Sequence, residues 1–229
     1  MCTLKKMGDE EICFETVLNI LSSEQKNLLL VFIKELNAWN RRMNLTGLSS
    51  KKRILDELVA DSLMPHPFLP HTGVCLDVGS GGGFPAVPLK ICRPNLKFFL
   101  LEPNSKKGSF LKHIIRRCGL KEIAVVRERI DTPSGSLPFK AVDIITSRAM
   151  APLPKLINWC TPYLGPGGVM IAFLGKRFEK ILTECEPILI KKDLFIEDIK
   201  PYTIKGTKSR RSLLVLRKGN KQELDSRRR

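Results

Sequence analysis

Four glycines crowd one short stretch of this 229-residue chain, Asp77-Val78-Gly79-Ser80-Gly81-Gly82-Gly83-Phe84. Glycines reach positive φ and leave the backbone bare, so a ligand can press against peptide N–H groups. The loop ends an apolar run and precedes a helical pattern, which places it in the first strand–helix unit. Glu102 closes the next apolar run, 23 positions after Gly79. A carboxylate there can accept hydrogen bonds from ribose hydroxyls. Asp131 follows the third run, close to where the base of a bound nucleoside would lie. The chemistry suggested is the holding of a nucleoside-containing ligand.

Two such ligands compete. A nicotinamide dinucleotide favours G-x-G-x-x-G/A, whose third small residue lets helix and strand pack closely beside a pyrophosphate. Phe84 stands at that third position. S-adenosylmethionine has no pyrophosphate and tolerates a wider loop, so G-x-G-x-G favours the methyl donor. No Gly-Lys-Ser/Thr follows, which excludes a Walker-type phosphate loop.

The elements that must carry these residues alternate. Apolar runs predict strands at 74–78, 97–101, 123–126, 142–146, 169–174, 194–199 and 213–216. Helical patterns predict helices at 86–92, 106–118, 154–160 and 178–184. Alternation of this kind implies a mainly parallel sheet covered on both faces, with ligands at the carboxyl ends of its strands. Residues 1–70 read as a helical extension: Ser22 and Gln25 have capping-box spacing, an apolar face follows through Phe32, Leu36 and Trp39, and a second helix is predicted over 52–63. Pro65, Pro67 and Pro70 mark the boundary to the nucleoside-binding domain, 71–217. The charged segment 218–229 reads as a disordered tail.

The net charge is +16, from 39 Lys+Arg against 23 Asp+Glu. Such an excess opposes compactness and is best understood beside a polyanion. Basic groups recur at Arg41, Arg42 and 51–53, at Lys106, Lys107, Arg116 and Arg117, and at Lys205, Lys208, Arg210 and Arg211. The seven cysteines form no C-x-x-C pair and several sit in apolar stretches. Reduced, buried thiols in a cytoplasmic protein are expected, with no metal site. No apolar run is long enough to span a membrane, and residues 1–14 lack the apolar core of a signal peptide.

Residues 77–85 with Pro88-Leu89, Phe110-Leu111 and Ser147-Arg148-Ala149 resemble the bacterial 16S rRNA guanine-N7 methyltransferase family, first described as glucose-inhibited division protein B. Trp39-Asn40, Asn44-Leu45-Thr46 and Asp61-Ser62-Leu63 are similar to it as well, so the resemblance runs from about residue 15 to 217. It implies a class I S-adenosylmethionine-dependent methyltransferase fold: a Rossmann-like, seven-stranded α/β sheet with an N-terminal helical extension. It implies donor contacts at Gly79, Phe84, Ile130, Asp131 and Arg148, to which residue spacing adds Gly81 and Glu102. Asn44, Arg129, Lys176 and Arg211 are candidate contacts to the substrate, 16S rRNA or the small ribosomal subunit. The chain departs from the family pattern at Leu58, Ala86, Leu174 and Ser212. Methylation of another RNA or of a small molecule, and an RNA-binding assembly role with weak catalysis, therefore stay open beside it. No general base is assigned, because guanine N7 carries no proton, and nothing in the sequence argues against a monomer.

Overall fold

The computed structural model describes residues 10–48, 50–133, 137–148, 150–175, 178–207 and 210–220. The chain begins with a short strand β1 (Glu10–Ile12) and helix α1 (Phe14–Leu18), then the long helix α2 (Ser23–Met43). The Ser22 hydroxyl accepts from Gln25 N–H while the Gln25 side chain accepts from Ser22 N–H, so the expected capping box starts α2. Leu29, Phe32, Ile33 and Leu36 are its buried stripe, the i, i+3, i+4, i+7 spacing of one helix face. Asn44 ends the helix in the left-handed conformation, φ 45°, which asparagine tolerates better than most residues. Next come α3 (Lys51–Ile54), a π-helical turn over Leu55–Ala60, and α4 (Asp61–Leu63).

From there strands and helices alternate: β2 (Gly73–Val78), α5 (Ala86–Cys92), β3 (Leu96–Leu101), α6 (Ser105–Arg117), β4 (Ile123–Val126), β5 (Val142–Arg148), α7 (Leu153–Cys160) and β6 (Leu164–Leu174). Helix α8 (Phe178–Lys191) runs beyond the predicted end, through Pro187. Strands β7 (Leu194–Ile204) and β8 (Arg210–Lys218) complete the sheet, whose order is β1-β7-β8-β6-β5-β2-β3-β4. β8 is antiparallel to both neighbours and the other pairings are parallel. The seven expected strands are present, and β1 adds an eighth from the extension, pairing with β7 from Glu10↔Tyr202 to Ile12↔Ile204.

Strand alternation divides the core between two faces. Phe98 and Leu100 of β3 face a cluster with Phe32, Leu36, Phe84 and Phe110, so the extension covers that side. Phe99 and Leu101 face the other, with Ile145, Leu156, Met170 and Leu214. The six described cysteines are free and buried. No helix among the described residues is long and apolar enough to cross a membrane. Cys2, Ala149, Lys176, Lys208 and the tail from 221 onward lie outside the described residues.

Candidate active site

β2 continues outward through β3 and β4, whereas β5 returns to its other side. This reversal opens a crevice at the carboxyl ends of β2 and β5, the place where open α/β sheets take ligands. A cleft of about 460 Å³ lies there, lined by residues that include Gly79, Gly81, Glu102, Ile130, Asp131 and Arg148. Its size falls in the range of small-molecule sites. Six of the seven expected donor contacts thus converge on one cavity.

The glycine loop is held by its own backbone and by Glu102. Gly79 and Ser80 N–H both donate to the Leu101 carbonyl, at 2.9 and 3.2 Å. Gly81 N–H donates to Glu102 Oε2 at 2.8 Å, and Asn104 N–H to Oε1 at 2.9 Å. Glu102 therefore shapes the loop, and a carboxylate with about four acceptor positions keeps capacity for ribose hydroxyls. Gly79 has φ 77°, and a Cβ there would stand 2.5 Å from Cγ of Met150. No other residue type fits that position without displacing the cleft wall.

Beneath the loop, Asp77 Oδ1 accepts from the Thr146 hydroxyl at 2.7 Å, while Oδ2 is buried without a hydrogen-bond partner among the described residues. Burial pushes the carboxyl up to about 6, against the opposing Thr146 bond and with a further push from the Glu102 charge. At the cleft rim, Asp131 receives both Nε and Nη2 of Arg129, at 3.0 and 2.8 Å, which lowers its pKa. Arg129, expected on the RNA side, lines the same cleft as Asp131.

Phe84 does not line the cavity. Its ring is buried, with its centroid 5.1 Å from that of Phe32 on α2, so it anchors the loop to the extension. Asn44 is an exposed helix cap. The neighbouring Asn40 and Thr46 do the structural work: Thr46 N–H donates to Asn40 Oδ1, and both side chains donate to the Leu48 carbonyl. This locked turn sets the Leu45 carbonyl against Gly82, 3.2 Å from where a Cβ would be.

At the far end of the cleft the structure assembles a group that residue spacing does not reveal. Asp61 is fully buried. Its Oδ2 lies 3.0 Å from Arg148 Nε, its Oδ1 lies 2.9 Å from Arg211 Nη1, and Oδ1 accepts from the Tyr202 hydroxyl at 2.6 Å. Arg148 Nη2 and Arg211 Nη1 also donate to the Glu57 carbonyl, at 3.1 and 3.2 Å. Arg211 is thus bound in this network, its side chain 20% exposed, rather than projecting from an RNA-facing surface. Burial pulls the Arg148 guanidinium down from its usual range, and Asp61 opposes the shift. Burial and the same carboxylate push the Tyr202 phenol up, so it stays protonated and donates. Lys107, one of the basic groups of the sequence, also lines the cavity, with Met150 and Trp159, which no spacing rule singled out.

The sequence model of the rRNA small subunit methyltransferase G family matches residues 25–214. The chain belongs to that family. Two relatives named ribosomal RNA small subunit methyltransferase G illustrate the likeness. The protein of Neisseria meningitidis serogroup C is 32% identical, covering 88% of this chain and 92% of its own. That of Syntrophus aciditrophicus is 33% identical, covering 87% and 84%. Among solved structures, a methyltransferase from Pyrococcus furiosus superposes with a TM-score of 0.55 at 19% identity, covering 86% of this chain and all of that one. A SAM-dependent methyltransferase from Aquifex aeolicus gives 0.54 at 16%, covering 72% and 92%. These structures bear out the class I methyltransferase fold.

Proposed function

We propose that the protein transfers a methyl group from S-adenosylmethionine to N7 of a guanine in small-subunit rRNA, in the cytoplasm. The observation that carries this reading is that the family match, residues 25–214, takes in every element walling the cleft. The residues fit the donor. Gly79 and Gly81 leave room for its amino-acid portion, Glu102 for the ribose hydroxyls, and the buried Ile130 with Asp131 for the adenine. Arg148 supplies a fixed cation at the end of β5 for a carboxylate or a phosphate.

S-adenosylmethionine supplies an electrophilic methyl group on a sulfonium. Guanine N7 offers a lone pair and no proton, so the protein needs no general base. Its own task is alignment, which alone can supply about 7–11 kcal/mol of a two-reactant barrier. The glycine loop, bonded to Leu101 and Glu102, forms one wall of the cleft proposed for the donor, and Met150 and Trp159 form another. The net charge of +16 supports a phosphate-rich acceptor.

Incubating the protein with methyl-labelled donor and small-subunit rRNA, free or assembled, tests the reading. Label should enter the RNA, and chemical cleavage specific for N7-methylguanosine should cut at a single guanine. Donor binding without transfer to rRNA, or label on another atom, would overturn it.

A further inference from the structure

The residues around Asp61 come from three parts of the chain that are remote in sequence. Asp61 itself begins α4 in the extension, Arg148 ends β5, and Tyr202 and Arg211 belong to β7 and β8. Asp61 and Tyr202 are 141 residues apart. Stability does not account for such a cluster, since well-packed apolar residues often serve as well as buried ion pairs, or better. What apolar residues cannot do is fix the direction of a guanidinium. Arg148 Nη2 donates to the Glu57 carbonyl, its Nε pairs in charge with Asp61 Oδ2 at 3.0 Å without the alignment of a hydrogen bond, and its side chain, 17% exposed, meets the cleft.

The local backbone serves the same end. In a regular α-helix the Asp61 N–H would bond the Glu57 carbonyl. As the residue that caps the π-helical turn it bonds the Leu58 carbonyl instead, and Glu57 O meets both arginines. Such turns recur at functional sites. Two guanidinium groups share one carboxylate, and the Tyr202 hydroxyl donates to Oδ1, the oxygen that also faces Arg211.

We propose that Asp61 is a positioning residue for the donor cleft: seated by Tyr202, it orients Arg148 in the cleft wall and makes the extension part of the site. This rests on the function proposed above. Asp61 touches no ligand and acts through Arg148.

The test is a double-mutant cycle on S-adenosylmethionine affinity, by calorimetry, and on kcat for rRNA. Asp61→Asn keeps the shape and removes the charge, and should weaken donor binding or kcat by about tenfold in the otherwise unaltered protein. In an Arg148→Ala background the same change should add less than about threefold, because its target is gone. A merely structural role gives equal losses in both backgrounds, or a lower melting temperature with unaltered affinity and kcat; either result overturns the proposal. If Asp61→Asn does not fold, Tyr202→Phe carries the same comparison. It should reduce affinity or kcat in the unaltered protein and leave the Arg148→Ala protein unaffected; equal effects in both overturn the proposal. Failure of the unaltered protein to bind the donor would overturn the function and this inference together. Donor binding with multiplicative losses overturns the inference alone.

Discussion

The wall of the cleft over residues 79–83 takes its shape from positive-φ glycines and from backbone hydrogen bonds to the end of the adjacent strand, whereas the wall at Arg148 is assembled from side chains of α4, β5, β7 and β8. In the glycine loop, backbone N–H groups bond Leu101 and Glu102, and the sterics of single residues set the conformation. At Arg148, the buried carboxylate of Asp61 in α4 gathers side chains from β5, β7 and β8. The first wall is a property of a motif. The second exists only when distant elements are in register, and it is sensitive to every element that carries a member.

Phe84 stands between the two descriptions, in the motif by position and in the core by packing. Phe84→Ala should destabilise the fold by about 3–5 kcal/mol, as other buried aromatic truncations do, with urea denaturation as the measurement. Lost donor affinity at undiminished stability would break the comparison and return the ring to the ligand site.

Asp77 sharpens it next. A carboxyl raised from 3.8 to about 6 binds more protons folded than unfolded. It therefore favours folding below pH 4, and this advantage is lost as pH rises to 6 and beyond. Relative to Asp77→Asn, the unaltered protein should lose up to about 3 kcal/mol across that window. Parallel stability–pH curves for the two proteins would show that the loop base carries no such strain.

Gly79→Ala should be folded but weakened by about 1–2 kcal/mol, from the positive φ alone. Donor affinity should fall further, because the Met150 wall must move. Unchanged affinity by calorimetry would show that the loop tolerates ordinary residues. The smallest effect belongs to the rim: Arg129→Ala should leave the melting temperature unchanged. If Arg129 reaches RNA phosphate, it should lower the salt dependence of RNA binding by roughly one contact.

The readable parts of the molecule were those with short-range causes. The apolar alternation of β2 and β3, the capping box at Ser22 and Gln25, and the glycine loop are each specified within a few residues, and the structure places them as expected. Acids at successive strand ends, Glu102 and Asp131, both line the cleft, since strand period and sheet direction fix where a strand's end points. β1 escaped because Glu10-Glu11-Ile12 offers no alternation to read, and its pairing with Tyr202 through Ile204 is made across nearly the whole chain. Spacing likewise could not say whether Phe84 faces ligand or core, nor that Arg211 turns inward to Asp61. Those outcomes depend on how α2 and α4 lie against the sheet.

The parallel pairing of β1 with β7 has a consequence for the order of synthesis. A chain growing from its N-terminus exposes Glu10–Ile12 long before Tyr202–Ile204 is made. The same holds for Asp61, whose charge waits for Tyr202 and Arg211. Pairings this distant in sequence form late and slowly. A nascent chain can therefore shape its glycine loop early, but the arginine wall is finished only after β8 has emerged. Synthesis of β8 thus acts as the last step in assembling the cleft.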